Sequence, residues 1–131
     1  MVYRSSLPQF ADATDLAMWA DRTEARSTLP DLIRRIVRVE NDQVTHAPFR
    51  AGEGVGLPGY DGTVRTSRGT PFVPEGFSVW EMGTNRNTKK KANDDFDTRT
   101  ADPLGVDPGS ATFVFVTPRR WRDKLQWAEE K

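Results

Sequence analysis

Two stretches constrain this chain more than any others: FSVWEMGT at 77–84 and ATFVFVT at 111–117. In an extended chain successive side chains point to opposite faces. Phe77 and Val79 therefore share one face of the first stretch, and Trp80 and Met82 the other. A strand that is apolar on both faces has to be covered on both. The implied fold class is α/β, a central mixed β-sheet flanked by helices.

The remaining segments supply those helices. Leu16, Trp19 and Ala20 follow helical spacing, with Asp12 or Thr14 as cap, and the pattern runs toward Glu24 and Ala25. A second helix is predicted from near Thr28, with Pro30 in its first turn and Leu29, Leu32, Ile33, Ile36 and Val37 as one apolar stripe ending at Asn41 and Asp42. THAPFRA, next along the chain, shows no strand alternation. A strand at 60–66 then leads through SRGTPFVPEG into the first apolar stretch. TKKKANDDFDTRT reads as a threonine-capped helix turning Ala92 and Phe96 inward; ADPLGVDPGS is a loop, and RDKLQWAEEK is a last helix. The expected order is helix, helix, strand, strand, helix, strand, helix. A strand–helix–strand unit crosses over right-handed and leaves its strands parallel. The C-terminal ends of the two apolar strands then share one edge, where open α/β sheets place ligands.

The length, 131 residues, suits a single domain, and four tryptophans and seven phenylalanines supply a core despite 36% apolar content. The last helix runs to the final residue, which points to a domain of a longer chain. Cysteine is absent, which excludes disulfides and thiolate zinc sites and fits a reducing compartment. No run of about eighteen apolar residues occurs, and MVYRSSLPQF lacks the apolar centre of a signal peptide. A cytoplasmic protein with no membrane partner is expected. Nineteen basic and nineteen acidic residues cancel. Two local blocks do not: NRNTKKK holds four cations and no acid, and TPRRWRDK holds four against one. Each block begins directly after one of the apolar strands.

GEGVGLPGYDG, at 52–62, places Gly54, Gly56 and Gly59 on the dinucleotide template. That template needs a strand feeding the turn and a helix leaving it. Neither is present here: Pro58 interrupts the turn and YDGTVRT reads as a strand. The segment is a flexible lead-in that delivers Asp61. His46 is the single histidine and no GxSxG elbow occurs, so neither a histidine zinc site nor a serine hydrolase triad is built; His46 is read as a solvated loop residue. Glu81 is different. It shares the face of Phe77 and Val79, and a bare carboxylate there costs several kcal/mol unless something compensates it. The short connection makes the 60–66 strand its antiparallel neighbour, which brings Asp61 beside Glu81. Either Glu81 pairs with an arginine while Asp61 is a turn residue, or the two carboxylates hold a hard cation, Mg2+ or Mn2+.

The layout of a helix, a strand with Asp61, a hairpin to a strand with Glu81, a helix and a further apolar strand resembles the PD-(D/E)XK nuclease superfamily, over residues 14–127. The resemblance implies a restriction-endonuclease-like fold and metal-dependent hydrolysis of phosphodiester bonds in DNA or RNA. It makes Asp61 and Glu81 the metal ligands and Glu24 the supporting acid of the first helix. The family lysine two positions after the glutamate is replaced here by Gly83. Lys89, Lys90 and Lys91 on the following helix are the substitutes, and Lys91, next to Ala92, is the choice for poising water. Lys89, Lys90, Arg99, Arg119 and Arg120 would contact the nucleic-acid backbone. Arg99 has the alternative of pairing with Asp94 or Asp95, and the arginines around Trp121 that of staying solvated while Trp121 and Trp127 anchor the last helix. By analogy the domain would serve as the effector of an antiviral defence protein, with homo-oligomers or further domains as partners. Gly83 keeps two other readings open: a catalytically inactive nucleic-acid binding module of the same fold, and a protein interaction domain whose acids form ion pairs.

Overall fold

The computed structural model describes residues 11–56 and 59–131, so the N-terminal MVYRSSLPQF and Pro58 lie outside the described residues. Helix α1 (Ala13–Ala20) opens on Asp12, whose carboxylate accepts from the Asp15 N–H at 2.8 Å while Asp15 accepts from the Asp12 N–H at 3.0 Å. This reciprocal cap satisfies two of the donors that a helix start leaves open. The helix stops at Ala20 instead of running to Glu24, and a turn leads into α2 (Ala25–Glu40). Starting at Ala25 places Pro30 one turn inside α2, not in its first turn. Proline has no N–H to give the Arg26 carbonyl there. The core-facing stripe is Ala25, Leu29, Ile33 and Val37; Leu32 and Ile36, expected in it, sit on its flank and stay 38% and 50% exposed.

The sheet has four strands in the order β1 (Val44–His46), β2 (Gly62–Thr66), β3 (Gly76–Met82) and β4 (Ala111–Val116). The first two pairings are antiparallel and β3 runs parallel to β4. β1 corrects the expected element order by adding a strand, and it moves His46 from a loop to an exposed strand position. It left no alternating pattern because it is a three-residue edge whose pairing with β2 shifts register between Val44 and His46. The parallel pair is joined by α3 (Thr88–Ala101), capped by the Asn87 side chain, which accepts from Lys90 N–H at 3.1 Å, and not by a threonine. A short helix, α4 (Lys124–Glu129), closes the fold. Among the described residues no helix is long and apolar enough to cross a membrane.

Both faces of the sheet are covered, as the doubly apolar strands require. On one, Val64, Trp80 and Met82 pack with Leu29 and Val37 of α2. On the other, Phe96 of α3 meets Phe113 of β4 edge-on at 5.3 Å and Trp127 of α4 at 6.1 Å, and Trp127 Nε1 donates to Asn93 Oδ1 at 2.8 Å. Strand register places the two acids of interest. Gly62 faces Trp80. One step outward along this antiparallel pair Asp61 comes to face Glu81, on the side of the sheet that α3 covers.

Candidate active site

Beyond the ends of β2 and β3 lies a cleft of about 530 Å³ whose walls include Asp61, Glu81, Lys91, Asp95, Arg99 and Arg26. Three acids and three cations converge there from four stretches of sequence. Asp61 arrives at the start of β2 and is held by the backbone: its Oδ2 accepts from the Met82 N–H at 2.8 Å. Glu81, 4% exposed, accepts at Oε1 from Arg99 Nε at 2.7 Å. Arg99 Nη2 donates to the Gly59 carbonyl at 2.6 Å, and its guanidinium lies 4.8 Å from the centre of the Tyr60 ring. One side chain of α3 thus ties Glu81 to the loop that delivers Asp61. Lys91 Nζ sits between both oxygens of Asp95, 2.7 Å from each.

Burial pushes the Glu81 carboxyl up to about 7; the nearby Asp61 charge adds to the rise and Arg99 opposes it. Burial likewise raises Asp95 against the pull of Lys91. Two neighbouring acids with raised proton affinity, beside two cations, form a cluster in which charge and proton occupancy are finely balanced.

Two glycines shape this cleft. Gly59, at φ +123°, has a backbone that side-chain-bearing residues rarely adopt, and an added Cβ would stand 2.6 Å from Arg50 Nη2. At Gly83 a Cβ would stand 2.6 Å from Lys91 Cγ. The stem of Lys91 therefore crosses the space that a side chain at position 83 would need.

The structure brings Asp61, Glu81, Lys91 and Arg99 together and leaves the other predicted residues elsewhere. Glu24 is exposed at the start of α2 and pairs with Arg22 at 3.6 Å; the helical turn directs Arg26 and Pro30 to the cleft in its place. Lys89 and Lys90 are exposed, Lys90 bonding Asp94 at 2.6 Å. Arg99 chooses Glu81 over Asp94 or Asp95. Arg119 serves as a tie: Nε donates to the Thr84 carbonyl and Nη2 to Asp21, each at 2.7 Å. Arg120 donates to Thr14 Oγ1 at 2.8 Å. Trp121 and Trp127 do pack together, 5.4 Å between ring centres. Two charged residues of the cleft, Asp95 and Arg26, are absent from the site expected from sequence. Asp95 had a signal, since Lys91, Asp95 and Arg99 recur every fourth residue and so share one helical stripe; Arg26 had none.

The class these observations define is a mixed α/β sheet protein with a charged cleft at the sheet's edge. Comparisons with protein-family models, with curated proteins and with solved structures found no match.

Proposed function

We propose that the protein is a divalent-metal-dependent nuclease domain of the PD-(D/E)XK kind, which hydrolyses phosphodiester bonds in nucleic acid. The observation that carries this reading is the convergence of Asp61 and Glu81 from adjacent antiparallel strands, with a lysine stem laid over Gly83. A lysine from α3 then enters the site beside the position at which the family ordinarily carries one. The succession of helix, antiparallel strands, crossover helix and parallel strand supports the same reading.

The donor set fits a hard cation. Asp61 commits one oxygen to Met82 and Glu81 one to Arg99; among the described residues their second oxygens carry no hydrogen bond. Among the described residues no three acids or histidines stand close enough to share an ion. Magnesium asks for less, since it binds through one or two carboxylates and completes its shell with waters and substrate phosphate. The chemistry such an ion supplies is neutralisation of phosphate charge and a bound water of lowered pKa. Asp61 and Glu81 are the residues that would hold it. Lys91, oriented by Asp95, would hydrogen-bond the attacking water, and Arg99 and Arg26 would supply cations for phosphate oxygens.

A second reading, a module that binds nucleic acid without cutting it, is favoured by the 2.7 Å pairing of Arg99 with Glu81, which already compensates the buried carboxylate. Incubation of the protein with plasmid DNA and with RNA, in magnesium, manganese or EDTA, separates the two. Metal-dependent cleavage is expected, abolished in Glu81→Ala and reduced roughly 100-fold in Lys91→Ala, the scale of general acid–base assistance. Cleavage that Glu81→Ala leaves intact refutes the assignment. Salt-sensitive binding with no cleavage establishes the silent module, and neither binding nor cleavage leaves a protein interaction domain.

A further inference from the structure

The cleft has a neighbour of a different character. A second cavity, of about 390 Å³, is walled by Pro48, Phe49, Tyr60 and Leu104 and shares Gly59 and Asp61 with the first. Tyr60 lines only this second cavity, whereas Arg99, which stands over the Tyr60 ring, lines only the first. The ring is thus a partition, with the acid and cation cluster on one side and on the other a largely apolar slot, lined by Arg50 as well and sharing Asp61 with the cleft.

Each wall of the slot is fixed. Tyr60 donates its hydroxyl to the Pro103 carbonyl at 3.1 Å. Phe49 packs edge-on against Trp80 at 5.7 Å and lies over Gly62, where an added Cβ would run into the Phe49 ring. Leu104 is the most informative. It is 45% exposed and sits at φ 53°, the left-handed region that leucine avoids, held there by its N–H donating to Asp102 Oδ1 at 3.1 Å. A strained backbone that presents an apolar side chain to a slot is the kind of feature found at ligand clamps.

A ligand suited to both cavities has a flat apolar part for the slot, joined by a short link to an anion for the cleft. A nucleobase and its phosphate have that form. We infer that the slot receives one unpaired base while the adjoining phosphate lies in the cleft, so that the substrate class is single-stranded or locally unpaired nucleic acid. The inference rests on the nuclease reading for the phosphate's place and adds what that reading lacks, a preference between strands. A base inside a duplex is stacked on both faces and has to leave the helix before a protein slot can hold it, whereas an unpaired base can stack on aromatic and apolar walls with little regard to sequence.

The test is binding, measured with calcium in place of magnesium, by fluorescence anisotropy. The probes are a short single strand, its duplex, and the single strand carrying one abasic position, each as DNA and as RNA. Single strands are expected to bind about tenfold more tightly than duplex, and Leu104→Gly to remove most of that preference, the scale of one lost base contact. Leu104→Gly relieves the strained backbone, so a loss of folding does not confound it. A 2-aminopurine placed in the strand should change emission on binding to the wild type, and not to Leu104→Gly. Equal affinity for single strand and duplex, or a preference untouched by Leu104→Gly, overturns the slot. Duplex cleavage without strand preference removes the slot and leaves the nuclease. Strand preference without any cleavage in magnesium removes the nuclease and leaves the slot, and absence of all binding overturns both.

Discussion

Glu81 is the residue in which fold and chemistry meet most sharply. Its ordinary carboxyl value of 4.5 is raised to about 7, chiefly by burial. The folded state therefore keeps a proton that the unfolded chain releases, and stability falls as pH rises from the unfolded to the folded value. Below pH 4.5 both states hold the proton and the penalty is absent; above about 7 it is complete. The unfolding free energy of the wild type, measured against Glu81→Gln by chemical denaturation, should drop between pH 4.5 and 8 by on the order of 3 kcal/mol. A difference that does not vary with pH would show that Arg99 keeps Glu81 ionised throughout. Cleavage should respond in the opposite sense, rising with pH as the carboxylate that would hold the ion loses its proton, and rising at lower pH when more divalent ion is supplied to compete with that proton.

At the scale of elements, α3 carries more of the proposed site than either strand. Its stripe of Lys91, Asp95 and Arg99 faces the cleft, while Ala92 and Phe96 face the core. The helix lies so close to the end of β3 that Gly83→Ala forces the Lys91 stem aside. Overpacking of this kind costs about 1–3 kcal/mol. Thermal denaturation should show that loss for Gly83→Ala and its recovery in the double variant Gly83→Ala/Lys91→Ala. Additive effects in the double variant would mean the two residues do not compete for space. The other end of the sheet depends on Asn41, which is 1% exposed where α2 stops. Its Nδ2 donates to the Arg68 carbonyl at 2.8 Å and to Thr66 Oγ1 at 3.2 Å, and its Oδ1 accepts from the Gln43 N–H. Asn41→Leu removes these three bonds, although Thr66 Oγ1 and the Arg68 backbone still bond each other, and should lower stability by about 1–2 kcal/mol, read from urea unfolding. That Asn41 ends α2 was legible in the sequence; that it fastens the helix to the β2–β3 turn was not, because the bond spans 27 residues.

Across the whole molecule, legibility tracks how much each segment buries. β3 and β4 declared themselves because both faces are apolar, and their parallel pairing came from the handedness of the crossover. The facing of Asp61 and Glu81 came in turn from an antiparallel hairpin and a two-residue period. β1 stayed hidden because an exposed, bulged edge strand of three residues buries too little to leave a pattern. Glu24 rests on family analogy alone, and helix phase, which turns on a single residue, puts Arg26 at the cleft. The partition at Tyr60 was out of reach, since it joins residues 48, 60 and 104 with no local signal.

Because Phe96 and Asn93 of α3 rest on Phe113 of β4 and Trp127 of α4, a chain still emerging from the ribosome up to residue 110 would possess every charged group of the cleft and lack the surface that seats them. The proposed hydrolytic apparatus is then armed only once β4 and α4 have been translated.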